Sequence, residues 1–196
     1  MLYVDIPTRP EFRALNDGRA DACVSIYLET TPLTQASDAS RIELGNLARQ
    51  AREKGGAVKF AYVSPDFANP TGETMTRAER ERVLDLADAL DIAVIEDGAY
   101  QSLRYDGEAT PPLLAMEIAK KGDIDQCRTI YCGTFSKTLS PGLRVGWVCA
   151  AKDIVSRLVI LKQAGDLHSA TINQATMNAV AREMFDEQGA AIRKVY

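Results

Sequence analysis

The chain has 196 residues, of which 46% are apolar, and a net charge of −4 at pH 7 with both signs interspersed. This composition predicts a globular protein with one good core, and the lack of a basic tract argues against nucleic-acid binding. No apolar run approaches the ~20 residues that a membrane-spanning helix needs, and the charged N-terminus has no signal-peptide core, so we expect a cytoplasmic protein that does not enter membranes.

The cysteines and the single histidine are too scattered to predict a metal site. The four cysteines are Cys23, Cys127, Cys132 and Cys149, and none of them forms a C-x-x-C pair. Structural zinc sites need closely spaced Cys and His ligands. We therefore predict reduced, partly buried thiols and no bound metal, and we interpret His168, in a loop between two predicted helices, as a surface or helix-flanking residue.

The first 54 residues are predicted to form a separate segment. A strand-like run leads into a Thr/Pro/Ser loop, and a capping box at Ser40 and Glu43 then predicts a helix over residues 40–53. The glycine pair at 55–56 ends this helix, and the composition changes there. We therefore place a boundary between residues 1–54 and residues 55–196.

After the glycines, short apolar strands alternate with amphipathic helices. A second capping box, at Thr76 and Glu79, begins one of these helices. Such alternation predicts an α/β domain with a layered sheet, whose ligands lie at the carboxyl ends of the strands. The predicted strands are 58–63, 92–95, 129–132 and 145–149, and the predicted helices are 74–90, 152–164 and 170–187.

Three strings of polar residues and glycines follow three of these strands, at residues 64–72, 96–100 and 133–144. Each string in isolation is typical of an ordinary turn or of solvated surface. Trp147 follows on a strand that we predict to be buried, which favours a core position for its ring over a role in stacking on a ligand. The three strings together, each at the end of a strand, predict a ligand site.

The strings ANPTG, IEDGAY and GTFSKTLSPGLRVGW resemble the signatures of class I and II aminotransferases, which are pyridoxal 5′-phosphate (PLP) enzymes of fold type I. The nearest branch includes the aminoadipate aminotransferases and the aminotransferase-like domain of MocR-type regulators. The resemblance covers residues 57–196. It implies part of a large PLP-binding domain, with a mixed, mostly parallel sheet flanked by helices, and a homodimer that acts on an amino acid and a 2-oxo acid.

The resemblance also implies roles for individual residues. Lys137 matches the lysine that holds the cofactor and moves the substrate proton, and Asp97 matches the carboxylate that pairs with the pyridine nitrogen. Asn69 and Tyr100 match the residues that bind the 3′-oxygen of the cofactor, and the bond between Asn69 and Pro70 is expected to be cis. The phosphate clamp is matched by Thr134, Ser136 and Arg144.

Other features of the family have no match in this sequence. Neither a glycine-rich phosphate-binding turn nor an arginine for the substrate carboxylate is found, so we expect the chain alone to turn over poorly and to self-associate. Residues 1–54 resemble instead the start of bacterial proteins related to archaeal and eukaryotic release factors. Two alternatives to an incomplete aminotransferase therefore stay open: a non-catalytic PLP-binding module and a release-factor-like translation protein.

Overall fold

A computed structural model of the chain describes residue 53 and residues 58–195. The segment predicted over residues 1–54, with its helix at 40–53, lies outside this range apart from Glu53. The fold below is therefore that of the segment in which the aminotransferase-like strings occur.

In the part of the chain that the structure describes, four strands form one mixed sheet in the order β1-β2-β3-β4. The strands are β1 (Phe60–Val63), β2 (Ala93–Asp97), β3 (Thr129–Thr134) and β4 (Gly146–Cys149). The first three are parallel neighbours, and β4 pairs antiparallel to β3. The predicted mixed, mostly parallel sheet is confirmed, and the parallel arrangement places the carboxyl ends of β1, β2 and β3 along the same edge.

Within the described residues, four α-helices accompany the sheet: α1 (Arg77–Leu90), α2 (Leu113–Lys121), α3 (Lys152–Gly165) and α4 (Thr171–Val195). Short 3-10 helices span Gln101–Leu103 and Ile124–Gln126. The sequence predicts α1 and α3 closely, but it misses α2 and ends α4 too early. None of the helices in the described range has both the length and the apolar character needed to cross a membrane.

Local sequence explains where α1 begins and ends. The Thr76 side chain accepts a hydrogen bond from the backbone amide of Glu79 at 3.3 Å, and the Glu79 carboxylate accepts one from the amide of Thr76 at 2.7 Å. This is the predicted capping box, and it satisfies two amides that a helix start leaves unpaired. At the other end Asp91 adopts a left-handed conformation, and its amide donates to the last turn.

The core lies between one face of the sheet and the helices α1 and α2. Strands β1 and β2 contribute small and branched side chains that α1 and α2 cover, and the side chains of alternate residues on β1 remain exposed. Phe60 and Tyr62, on the other face, are 49% and 51% exposed. The buried apolar cluster consists of Ala61, Val63, Val83, Leu84, Ala87, Ile92, Val94, Leu113 and Met116.

The prediction that Trp147 belongs to the core is wrong. Its side chain is 43% exposed, because β4 has a strand neighbour on one side only within the described range, so its alternate side chains reach solvent. The indole packs against the backbone of Gly133 and against the Phe135 ring, whose centroid lies 4.7 Å from its own.

Candidate active site

The strings that follow β1, β2 and β3 meet at one edge of the sheet. Asp97 is the last residue of β2 and Thr134 is the last residue of β3. Ser64 follows β1 directly, and its hydroxyl oxygen lies 3.5 Å from the backbone oxygen of Asp97. The parallel strands thus bring together residues that are far apart in sequence, as the strand-end argument predicts.

The carboxylate of Asp97 is half-buried and held by two donors. Its Oδ1 accepts a hydrogen bond from the amide of Ala99 at 3.0 Å, and its Oδ2 accepts one from the hydroxyl of Tyr62. Partial burial, followed by the hydrogen bond to Asp97 and its negative charge, raises the pKa of the Tyr62 phenol well above its ordinary value. Tyr62 is therefore a neutral donor at physiological pH, and its place beside Asp97 was not predicted from the sequence.

Lys137 lies in the loop that follows β3, and its side chain is exposed. Its Nζ lies 5.5 Å from the centroid of the Tyr100 ring, within the range of a cation–π contact. Tyr100 is half-buried and immediately precedes the first 3-10 helix. The structure thus brings the predicted lysine against the ring of one of the residues predicted to share its site.

The predicted phosphate-binding hydroxyls are adjacent. Thr134 Oγ1 accepts a hydrogen bond from the amide of Ser136 at 3.0 Å, and it lies 3.0 Å from the Ser136 hydroxyl oxygen. Arg144, at the end of the same loop, is exposed and has a positive φ of 53°. Its guanidinium donates to the carbonyl of Pro141 at 3.4 Å.

Asn69 lies in the turn after β1, and its bond to Pro70 is cis, as predicted. The turn is closed by a hydrogen bond from the amide of Gly72, where φ is +75°, to the carbonyl of Ala68 at 2.6 Å. The side chain of Asn69 is exposed. Its predicted role toward the 3′-oxygen of a cofactor stays a prediction.

His168 is exposed, in agreement with its interpretation as a surface residue. Its Nδ1 lies 2.8 Å from the carbonyl oxygen of the neighbouring Ser169. Within the residues that the structure describes, no group of three or more His, Cys, Asp or Glu side chains could hold a metal ion.

A buried ion-pair cluster supports the loop that follows β1, and it was not predicted from the sequence. Asp66 is 2% exposed and lies 2.9 Å from the guanidinium of Arg80 and 2.6 Å from that of Arg104. Arg80 is fully buried and also donates to the carbonyls of Pro65, Met75 and Pro111. A signal was present, because Arg80 falls on the apolar side of α1, where a charged residue needs a buried partner.

A close backbone approach at Gly133 predicts that this position tolerates no side chain. A Cβ added there would lie 2.3 Å from the indole of Trp147, so Gly133→Ala must displace the ring at a cost of about 1–3 kcal/mol. Trp147 is the only tryptophan, and its fluorescence therefore reports the displacement directly. We expect a shifted emission maximum and a lower unfolding midpoint, whereas Gly142→Ala, which meets nothing within 4 Å, should change neither. An unchanged spectrum of Gly133→Ala would contradict the packing described here.

The sequence matches a known family over most of its length. The family model for aminotransferase class I and II matches residues 35–194. An uncharacterized aminotransferase of Saccharolobus solfataricus is 39% identical over 155 residues, which are 79% of this chain and 37% of that protein. The 2-aminoadipate transaminase of Thermus thermophilus is 39% identical over 138 residues, or 70% of this chain and 34% of that protein. An uncharacterized HTH-type transcriptional regulator of Bacillus subtilis is 30% identical over 158 residues, which are 80% of this chain and 31% of that protein.

Solved structures share the fold. The α-aminoadipate aminotransferase LysN of Thermus thermophilus, complexed with N-(5′-phosphopyridoxyl)-L-leucine, superposes with a TM-score of 0.66 at 34% identity, covering 76% of this chain and 37% of that one. The multiple substrate aminotransferase of Thermococcus profundus superposes with a TM-score of 0.68 at 38% identity, covering 79% of this chain and 37% of that one. The predicted partial fold type I large domain is confirmed.

The chain thus spans about a third of the length of these relatives. The boundary after residue 54 stays a prediction, and the release-factor resemblance of residues 1–54 gains no support from these matches. The family model covers all three strand-end strings, and the solved structures share the fold that carries them. The chain therefore belongs to the class I and II aminotransferases.

Proposed function

We propose that this chain is the cofactor-binding part of a PLP-dependent aminotransferase, which moves an amino group between an amino acid and a 2-oxo acid. One observation carries the proposal: adjacent parallel strands present a held carboxylate, Asp97 at the end of β2, and a lysine, Lys137 in the loop after β3. We also propose a homodimer, which the resemblance to the family implies, and a cytoplasmic location, which the absence of an apolar segment in the sequence favours.

The donor set at this edge fits PLP. The cofactor carries a basic ring nitrogen, an aldehyde and a phosphate, and each has a chemically suited group here. A carboxylate suits a protonated nitrogen, a primary amine suits the aldehyde, and a guanidinium with hydroxyls suits a phosphate. These groups are Asp97 for the nitrogen, Lys137 for the aldehyde, and Thr134, Ser136 and Arg144 for the phosphate.

The roles of Asp97 and Lys137 follow from their charge. PLP, when bound, withdraws electrons from the α-carbon of the amino acid. The negative charge of Asp97 favours a proton on the ring nitrogen, and that proton strengthens the withdrawal. With PLP bound, the Nζ of Lys137 would be suited to accept the substrate α-proton and to return it.

Tyr100 and Asn69 are assigned to the 3′-oxygen of the cofactor. The contact between the Tyr100 ring and the Lys137 Nζ supports this assignment, since it keeps the phenol on the same side of the site as the amine. A hydroxyl and an amide both donate hydrogen bonds to a phenolic oxygen. These two donors would favour the anionic form of that oxygen.

Saturable PLP binding tests the proposal. The purified chain is titrated with PLP and followed by absorption, and we expect one PLP per chain with a shifted absorption band. Addition of an amino acid to the loaded chain, with analysis of the oxo acid released, then asks whether the amino group is transferred. An absorption change that rises linearly with PLP and never saturates would reject the proposal for this chain.

A second candidate is a non-catalytic PLP-binding module. The similarity to an HTH-type transcriptional regulator over 80% of the chain favours it, because a protein of that name points to a regulatory use of the same domain. The same experiment separates the two candidates. Because the incomplete enzyme is expected to turn over slowly, slow release of oxo acid during a long incubation with the loaded chain in excess favours the aminotransferase, and saturable binding with no release at all favours the module.

A further inference from the structure

Tyr62 is the one side chain that donates to the carboxylate of Asp97 among the residues that the structure describes. The sheet itself creates this contact. Tyr62 is the register partner of Ile95 in the parallel pair β1–β2, and Asp97 follows Ile95 by two residues on the same face. Two neighbouring strands, and not a loop, therefore fix the distance between the phenol and the carboxylate.

The two oxygens of Asp97 each have a donor. Oδ1 accepts from the amide of Ala99, and Oδ2 accepts from Tyr62. An ionised carboxylate offers about four lone-pair directions. Both oxygens can thus accept from a further donor. The two existing hydrogen bonds restrict rotation of the carboxylate but leave some of its lone pairs available.

The chemistry of the donor matters as well. The raised pKa of Tyr62 keeps the phenol protonated, so it donates a proton without bringing a positive charge. An arginine or lysine in its place would neutralise Asp97 and compete with any cationic ligand. A neutral donor leaves the negative charge available to a protonated ring nitrogen.

We propose that Tyr62 is a positioning residue for the cofactor: together with the amide of Ala99 it fixes the orientation in which Asp97 meets the ring nitrogen. The inference rests on the proposed function, because it assigns a ligand to Asp97. It goes beyond the residues that the family strings mark, since Tyr62 lies within β1 and upstream of all three strings.

A double-mutant cycle on PLP affinity tests the inference. Tyr62→Phe keeps the ring and removes the donor, and we expect about three- to tenfold weaker PLP binding in the wild-type background, the range of one net hydrogen bond. In the Asp97→Ala background the same change should alter affinity less than about twofold, because Tyr62 then has no carboxylate to orient. Tyr105→Phe, at a tyrosine that is 52% exposed, is the matched control and should be neutral in both. An equal loss in both backgrounds is the signature of packing and would overturn the proposal.

A measurement without PLP separates this inference from the proposed function. Ionisation of Tyr62 is isolated by ultraviolet difference spectra between each protein and its Tyr62→Phe counterpart. We expect the Tyr62 phenol to ionise at a lower pH in Asp97→Ala than in the wild type, because the hydrogen bond and the negative charge are gone. Ionisation at the same pH in both proteins overturns the inference. A wild-type chain that fails to bind PLP but shows the expected tyrosine shift rejects the proposed function and leaves the contact established.

Discussion

Asp97→Asn is expected to weaken PLP binding by about 10- to 150-fold, the equivalent of a charged hydrogen bond worth roughly 1.5–3 kcal/mol. Asparagine has the shape of aspartate and can still accept from the amide of Ala99 at Oδ1. It lacks the negative charge that a protonated ring nitrogen requires. The loss should therefore appear in affinity and not in folding.

Absorption titration with PLP measures this effect, and thermal unfolding of the same samples shows that the fold is retained. Asp106→Asn is the matched control, because Asp106 is exposed and its carboxylate likewise accepts from a backbone amide, that of Gly107. It should bind PLP like the wild type. Equal affinities for Asp97→Asn and the wild type would show that the ring nitrogen of the cofactor does not meet this carboxylate.

Arg80→Met is expected to lower the free energy of unfolding by about 3–5 kcal/mol, as the removal of one partner from a buried ion pair does. Arg80 is 0% exposed and bonds Asp66 and the carbonyls of Pro65, Met75 and Pro111. Methionine fills part of the volume but donates nothing. Asp66 would keep Arg104 as its partner, so the lower half of this range is the more reasonable expectation.

Arg77→Met provides the control within the same helix. The side chain of Arg77 is 66% exposed, and its ion pair with Glu81 spans one turn of α1. Exposed pairs of this kind contribute about 0.2–1 kcal/mol. Chemical denaturation of both variants should show a loss several times larger for Arg80, and equal losses would mean that the cluster around Asp66 does not hold the loop after β1.

Elements with local signals were predictable from the sequence. The capping box at Thr76 and the apolar spacing after it locate α1, and runs of branched residues locate the strands. The strand ends then predict where the candidate site lies, because parallel strands place their carboxyl ends together. Asp97, Thr134 and Lys137 could be grouped in this way without any knowledge of their side-chain contacts.

Elements that depend on distant partners were not predictable. Helix α2 starts after Pro112 with no side-chain cap of its own. The buried carboxylate of Glu96, on β2, accepts from the amides of Leu113 and Leu114 at 2.7 and 3.0 Å instead. A cap supplied from another element leaves no local pattern.

Two side-chain environments could not be predicted for the same reason. The tyrosine at position 62 is an ordinary strand residue until β2 places Asp97 beside it. Trp147 is likewise exposed because β4 is an edge strand of the described sheet. The apolar sequence of β4 does not show whether the strand is central or at an edge.

The most direct test of the central claim is to locate the lysine that binds PLP. The chain is incubated with PLP, reduced with borohydride and digested, and mass spectrometry identifies the modified peptide. We expect a single adduct on Lys137, absent from Lys137→Ala and retained in Lys152→Ala, a control at an exposed lysine. Modification spread over several surface lysines, or an undiminished adduct in Lys137→Ala, would contradict the assignment of the site.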